Sequence, residues 1–351
     1  FQTNVSLQEY DLTFQKKAEI KAKYPPSIDW ILNAFKRIPK IKPLATVNKK
    51  PIYSIRQWLL QICKQNKYCK EMNFDSSILA NHEDEQVSEF WQTEAMRVIN
   101  ADCTESVHFV VVLYYDDFKK FKMCQGKCGA LYFSLLNFNR RFLSKPKAIF
   151  PLALLDHEEE YILAMQFIVA ELIDLNKPML LEFNGLKSNQ IIQAKVHLGM
   201  VLGDHLQRTV NCMMQSPVCL TASCCECHCM RDQIALDPKS AENPFGIDLS
   251  NKRTAEYMKK GFDRYNAAKT IEEKQQILST YGMKLFQYGD ENTMRVYENP
   301  FWKLSEIGLD IHKLSTVDYF HVEILGLLRK HFKLLYLETF STQEQASFNK
   351  I

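Results

Sequence analysis

The stretch that most constrains the fold is an apolar run from Val107 to Phe118, VHFVVVLYYDDF, which ends on two adjacent carboxylates, Asp116 and Asp117. A run of β-branched and aromatic residues of this length is typical of a strand that is buried in a sheet. Two acids at the end of such a strand lose solvation energy unless a metal ion or a basic ligand compensates them. The pattern therefore predicts a divalent-metal site at the strand end, with an acidic surface turn as the alternative.

The composition indicates a folded protein. The chain has 351 residues, enough for one large domain with an insertion or for two domains, and it is 46% hydrophobic and 12% aromatic. No apolar run approaches the roughly 20 residues that span a bilayer, so we expect no membrane partner. The net charge is only +3, but lysine and arginine concentrate between residues 16 and 50. This segment is either a basic arm that contacts phosphates or a solvated leader.

The order of predicted elements indicates an α/β fold. Its core is an RNase H-like mixed sheet with flanking helices. We predict a helix from Asp156 to about Leu175 and five strands, at 107–115, 130–137, 148–154, 179–183 and 195–203. The predicted organisation begins with a basic linker-like arm (1–51) and a small helical unit (52–106). The first part of the core (107–230), a helical insertion (231–315) and a C-terminal helix that completes the core (316–351) follow.

A second acid, Asp204, also follows an apolar strand, AKVHLGMVLG. Asp116 and Asp204 would both lie at the carboxyl ends of strands, which is the edge where open α/β sheets place their sites. Carboxylates on separate strands suit a pair of Mg²⁺ or Mn²⁺ ions. We therefore predict Asp116 and Asp204 as metal ligands.

The cysteines form a second signal. Six of the eleven lie between residues 212 and 229. The first 30 residues do not read as a signal peptide, so we expect a reducing compartment. This distribution favours metal binding or free thiols over disulfides. Cys224 and Cys227 form a CxxC, which is half of a tetrahedral Zn²⁺ site, although Cys225, His228 and Cys229 are rival ligands. His312 and His321 are the best candidates to complete the zinc site.

Several short motifs, taken in order, resemble the DDE transposases of CACTA-type elements. They are LYYDDF (113–118), LYFSLLNFNRRFLSKPKAIFPLALL (131–155), GDH (203–205), the CxxC (224–227) and NPFWKL…STVDYFHVEILG (299–326). The similarity extends from about residue 52 to about residue 337. It implies an RNase H-like fold interrupted by a zinc-stabilised helical insertion.

The resemblance also implies three catalytic acids. Asp116 would be the first and Asp204 the second. The string around His321 favours Glu323 as the third, with Asp318 and Glu338 as alternatives. The chain lacks the Asn-Pro-Leu-Gly string that often follows the first acid, and 119–122 reads KKFK instead.

The resulting expectation is a metal-dependent DNA transposase core. It would act in the nucleus on transposon ends and target DNA, with Mg²⁺ or Mn²⁺ for the chemistry, Zn²⁺ for the insertion, and a homo-oligomer as a possible assembly. The alternative is a catalytically inactive transposase derivative that binds DNA or protein. A zinc hydrolase that uses the cysteine–histidine site is a weaker third interpretation, because thiolate-rich zinc sites are usually structural.

Overall fold

The computed structural model describes most of the predicted core. The described residues are 41–72, 106–119, 127–156, 158–184, 189–215, 225, 228, 252–288 and 295–317. No helix in these ranges combines the length and the apolar character needed to cross a bilayer.

A mixed six-stranded sheet forms the centre of the molecule. Its strands are β3 (Val107–Lys119), β4 (Lys127–Leu135), β5 (Phe150–Leu155), β6 (Met179–Asn184), β7 (Asn189–Gly203) and β10 (Ser315–Val317). Five of them lie in the order β10-β7-β3-β4-β5, and β6 pairs with β7 as well. The pairs β3–β4, β4–β5 and β6–β7 are antiparallel, whereas β3–β7 and β10–β7 are parallel.

Strand β3 is central, as its composition predicts. Val110, Val111 and Val112 are all fully buried, so both faces of the strand are covered. One face meets helix α4 (Glu158–Leu175), which carries buried apolar residues such as Met165 and Ile168 along its length. Burying a side chain of this size stabilises the fold by about 1.5 to 3 kcal/mol.

The N-terminal part contains a hairpin and short helices. Strands β1 (Pro43–Val47) and β2 (Lys50–Tyr53) are joined by a tight turn in which Asn48 and Lys49 both have positive φ. Helices α1 (Ile55–Cys63) and α2 (Asn66–Cys69) follow the hairpin. Ser54 caps α1 by accepting a hydrogen bond from the Gln57 amide.

The hairpin is tied to α4 by a cluster of charges. The ammonium group of Lys50 lies 2.6 Å from Asp156 and 2.6 Å from Glu160, which is almost fully buried. Asn48 also donates a hydrogen bond to Glu160, at 2.9 Å. A buried carboxylate is tolerated here because three donors, including the Asp156 amide, satisfy its oxygens.

The remaining elements are short. Helix α3 (Arg140–Leu143) and a 3-10 helix (Pro146–Ala148) connect β4 to β5, and α5 (His205–Asn211) follows β7. The later segment contains α6 (Ala255–Ala267), α7 (Ile271–Tyr281), a β8–β9 hairpin (Phe286–Tyr288, Arg295–Tyr297), a 3-10 helix (Pro300–Ile307) and α8 (Ile311–Leu314).

The five predicted strands and the predicted helix after Asp156 are all present, and the α/β class is confirmed. Four features differ from the sequence prediction. Strand β3, predicted at 107–115, continues past Asp116 to Lys119, and the insertion that was predicted to be helical also contains the β8–β9 hairpin. Residues 43–53 form a hairpin that crosses the expected boundary at 51, although the arm was predicted to be linker-like. Residues 315–317 form β10, at the point where the insertion was expected to give way to a helix. A three-residue strand is too short to show periodicity, and the prolines of the hairpin resemble those of a linker.

Candidate active site and cysteine–histidine cluster

Asp116 and Asp204 lie level with each other on neighbouring parallel strands. Tyr114 of β3 pairs with Leu202 of β7, and each aspartate comes two residues later in the sequence. Asp116 lies within β3, and Asp204 directly follows the last residue of β7. The strands are still adjacent at this end, because a Cβ built on Gly203 would lie 3.6 Å from the Tyr115 carbonyl oxygen. Adjacent strands are about 4.8 Å apart, so the two aspartates emerge side by side. The sequence had predicted this pair.

A third parallel strand ends at the same edge. In the β10–β7 pair, Val317 is the partner of Gly203. The next residue in the sequence is Asp318, which lies outside the described residues. Consecutive Cα atoms are about 3.8 Å apart, so the chain carries an acid to within one residue of this edge. We call the level of the sheet at which β7 and β10 end, with Asp116 of β3 beside them, the carboxylate edge.

Asp204 is held in place by the helix that it starts. It is the N-cap of α5, and its Oδ1 accepts a hydrogen bond of 2.7 Å from the Gln207 amide. Asp204 Oδ2 has no hydrogen-bond donor among the described residues. Asp116 is exposed. One carboxylate is therefore oriented by the backbone, and both present oxygen atoms at the surface of the sheet end.

A buried polar network underlies the carboxylate edge. The Tyr161 hydroxyl, on α4, donates a hydrogen bond of 2.7 Å to Asn211 Oδ1, and Gln207 donates to the same oxygen at 3.0 Å. Asn211 in turn donates to Ser315 Oγ at 3.3 Å, and Arg208 donates to the Ser315 carbonyl at 2.8 Å. Burial raises the pKa of Tyr161 well above its ordinary value, so the hydroxyl stays a donor. The network joins α4, α5 and β10 beneath the aspartates.

Tyr115 packs where strands β3 and β4 approach each other closely. Its ring lies 4.4 Å from the Tyr161 ring, centroid to centroid, and covers Gly129 of β4. A Cβ at Gly129 would overlap the Tyr115 ring. Glycine is therefore needed at this position for steric reasons, and it keeps Tyr115 packed directly before Asp116.

The oxygen-rich edge suits a hard divalent cation. Carboxylates that emerge from separate strands can hold Mg²⁺ or Mn²⁺ and still leave coordination positions for water and phosphate. The free Oδ2 of Asp204 and the exposed Asp116 fit this requirement.

A second cluster surrounds His312 on α8. The imidazole is 4% exposed, and its Nδ1 lies 2.8 Å from the Cys225 carbonyl oxygen. Because the carbonyl can only accept, Nδ1 carries the proton and Nε2 holds a lone pair. That Nε2 is buried with no hydrogen-bond partner among the described residues. Metal-binding histidines show this arrangement, in which one nitrogen donates to a carbonyl and the other binds the ion.

Two buried thiols adjoin this histidine. Cys225, whose carbonyl binds His312, and Cys212 are both almost fully buried, and their thiols hydrogen-bond to each other. The Cys225 thiol and burial together raise the pKa of Cys212, and burial lowers the pKa of His312. His228 packs edge-on against the Tyr257 ring of α6 at 4.1 Å, and burial lowers its pKa too. Burial therefore favours the neutral form of both histidines.

Several predicted site residues cannot be placed. Cys224, Cys227, Asp318, His321, Glu323 and Glu338 all lie outside the described residues. Within the described ranges, no three acidic, cysteine or histidine side chains converge on one potential metal position. The zinc set of Cys224 and Cys227 with His312 or His321 therefore stays a prediction, as does the identity of the third acid.

Sequence reasoning missed the supporting residues Tyr161, Asn211, Arg208 and Ser315. Tyr161, Arg208 and Asn211 lie in helices and Ser315 in a three-residue strand, and isolated polar side chains of this kind follow no periodic pattern that the sequence would show. Cys212 had a weak signal, since it belongs to the cysteine-rich stretch, but its pairing with Cys225 depends on the fold.

No protein-family model matches the chain, and no curated protein matches it.

Proposed function

We propose that this protein is a metal-dependent DNA transposase core that cleaves and joins phosphodiesters at transposon ends. The level positions of Asp116 and Asp204 on adjacent parallel strands carry the proposal. Their strands come from distant parts of the sequence, and the two acids lie at the level where β7 ends, while β3 continues beside β4 to Lys119. An acidic surface turn, which is the alternative, would not require two acids from distant segments to lie level at one edge.

The strand order supports an RNase H-like fold for the core. Strands β3, β4 and β5 form an antiparallel meander, and β7 and β10 extend it in parallel on the far side of β3. Helix α4 connects the meander to the parallel strands. The long insertion lies between β7 and β10, where the resemblance to CACTA-type transposases implies one.

The third acid should come from the segment after β10. Asp318 follows Val317 directly, and Glu323 is six residues beyond Val317. Glu323 remains the expected third acid because of the string around His321, and Asp318 is the alternative nearest to the edge in sequence. Glu338 requires a longer connection.

In this proposal, the residues at the carboxylate edge have separate roles. Asp116 and Asp204 supply the ligand oxygens, while the α5 backbone orients Asp204 and the Tyr161–Asn211–Ser315 network fixes the strand that leads to the third acid. Bound Mg²⁺ or Mn²⁺ would stabilise charge on the attacking and leaving oxygens of an in-line displacement.

Zinc would serve the insertion and not the chemistry. His312 fits a Zn²⁺ ligand because its buried Nε2 lacks a partner and its Nδ1 is held by a carbonyl. Thiolates from the CCECHC stretch are the natural co-ligands, with Cys224 and Cys227 expected. A thiolate-rich site would fasten the cysteine-rich stretch to α8, close to β10.

Nicking of transposon-end DNA tests the proposal. Wild-type protein with Mg²⁺ or Mn²⁺ should cleave, and Asp116→Asn or Asp204→Asn should reduce the rate by about 10³-fold or more, because each removes a charged metal ligand. Asp263→Asn, an exposed acid on α6, is the matched control and should leave the rate unchanged.

The alternative is a catalytically inactive derivative that binds DNA or protein. It predicts no cleavage by wild-type protein and no Mn²⁺ binding that depends on Asp116 and Asp204. Isothermal titration with Mn²⁺ distinguishes the two, since an active edge should bind the ion and lose it in either aspartate variant. Absence of both cleavage and Mn²⁺ binding would favour the inactive derivative.

A further inference from the structure

We propose that residues 27–38 pack as an amphipathic helix into a groove beside α4. Residues 27–38 lie outside the described residues, whereas the groove is formed by described ones. It lies between β1, the start of α1 and α4, and has a volume of about 460 Å³. We call it the α4 groove, and its lining includes Pro43, Leu44, Gln57, Phe167 and Ala170.

The α4 groove exposes apolar side chains that the core leaves uncovered. Leu44 on β1 is 39% exposed and Phe167 on α4 is 41% exposed. Ala170, three residues after Phe167, lies on the same face of α4 and is also exposed. Single exposed apolar residues are ordinary, but these three line one concave surface, which is typical of a site that another apolar face covers.

Most charged groups of the groove are already bound to one another. Glu171 accepts hydrogen bonds from the Ile55 amide at 2.8 Å and from the Arg56 amide at 3.3 Å, at the start of α1. The Arg56 guanidinium pairs with Asp174. Lys42 adds one exposed cation to the lining. We therefore expect the occupant to bind through apolar side chains and to keep its own charges in water.

The sequence of residues 27–38, SIDWILNAFKRI, has the pattern of a helix with one apolar face. Its apolar residues follow the spacing i, i+3, i+4 and i+7, at Ile28, Ile31, Leu32 and Phe35. Ser27 is a suitable N-cap, Pro39 ends the pattern, and Lys36 and Arg37 fall in the last turn, where cations are favourable. A helix this short is marginal in water, so it needs an apolar surface on which to pack.

The α4 groove is within reach of this segment. Ile41 is 6% exposed and belongs to the core, and it directly precedes Lys42, which lines the groove. Only Pro39 and Lys40 separate residues 27–38 from Ile41, so the end of the segment lies within about 11 Å of Ile41. So short a connection gives an effective concentration on the order of millimolar. It therefore favours this segment over a separate protein or a second copy of the chain.

Hydrogen exchange of the whole chain, measured by mass spectrometry, tests the inference. Docking should protect the amides of residues 28–38 in the wild-type protein. Phe167→Glu should make these amides exchange about tenfold faster or more, because it places a charge against the apolar face of the segment. The control is Ile271→Glu, which changes an apolar residue that is 70% exposed and lies outside the groove, and it should keep the wild-type exchange.

A matched pair of substitutions in the segment gives the reciprocal test. Phe35→Glu, on the apolar face, should remove the protection, whereas Asn33→Glu, on the polar face, should keep it. Glutamate is a better helix former than either phenylalanine or asparagine, so a loss of protection could not come from helix propensity. Circular dichroism confirms that all four variants are folded.

Three results would overturn the inference. The first is wild-type protein in which residues 28–38 exchange as fast as an unfolded peptide, and the second is equal acceleration in Phe167→Glu and Ile271→Glu. The third is protection that rises with protein concentration, which would identify a second copy of the chain as the occupant. None of these measurements uses cleavage, so the outcome is independent of the proposed nuclease activity.

Discussion

At the scale of single residues, Asp204 serves two purposes that substitution can separate. Its Oδ1 caps α5, while its charge is proposed to bind a metal ion. Asparagine is as good an N-cap as aspartate, whereas alanine removes the cap. The two substitutions therefore test structure and chemistry independently.

We expect Asp204→Asn to keep the free energy of unfolding close to the wild-type value and Asp204→Ala to lower it by about 1 kcal/mol. Nicking should be lost in both. Urea denaturation beside the nicking assay measures the two effects. Unfolding free energies lowered equally by the two substitutions would mean that the carboxylate charge, and not the cap, stabilises the edge.

Lys50 shows how a single charge can join two elements. Burial opposes its charged form, but hydrogen bonds to Asp156 and Glu160 outweigh burial and raise the pKa of Lys50. Burial likewise opposes ionisation of Glu160, and the donors Lys50, the Asp156 amide and Asn48 together lower the pKa of Glu160. The network holds the β1–β2 hairpin on the start of α4.

At the scale of elements, this network makes docking of the hairpin depend on pH. The contribution of Glu160 is present above its ordinary pKa of 4.5 and is lost as the pH falls through its lowered pKa in the folded protein. The contribution of Lys50 is present below 10.5 and is lost as the pH rises through its raised pKa. The full stabilisation therefore lies between these two limits.

Replacing Lys50 with methionine should lower the free energy of unfolding at pH 7 by about 1 to 3 kcal/mol, because Glu160 would keep its charge without its cationic partner. The loss should shrink in acid, once Glu160 is protonated. Thermal or urea unfolding across pH measures both effects, with Lys49→Met, an exposed neighbour in the same turn, as control. A loss that does not vary with pH would contradict the assignment.

The elements that the sequence predicted are those with long patterns. Apolar runs predicted β3 and β7, and acids in its first turn predicted the start of α4. The strand β10, with only three residues, and the hairpin beside Pro43 and Pro51 have no such pattern and were missed. Asp116 and Asp204 were found because each ends a run, whereas Asn211 and Ser315 depend on contacts between elements distant in sequence.

At the scale of the whole molecule, the cysteine–histidine cluster connects the insertion to the sheet. His312 reaches Cys225, His228 packs on Tyr257, and Asp310 accepts the Ala255 amide at the start of α6. If zinc binds here, its removal should act on the insertion more than on the sheet.

Chelation of zinc should speed hydrogen exchange in α6 and α7 while β3 stays protected, measured by mass spectrometry with metal analysis of the same sample. His312→Gln should reproduce the effect, because it removes the proposed Nε2 ligand. Purified protein that contains no zinc, or exchange that rises equally in β3 and α6, would show that no structural zinc joins these parts.

The place of β10 in the sheet has a consequence for the order in which the protein is made. Strand β10 pairs with β7 across roughly 110 intervening residues. Its docking therefore closes a long loop, which costs conformational entropy. During synthesis, β3, β4, β5 and β7 all leave the ribosome well before Ser315. Before Ser315 is made, the nascent chain therefore carries Asp116 and Asp204 beside an edge of β7 that is not yet paired with β10. An exposed strand edge at that stage favours pairing between unfinished chains.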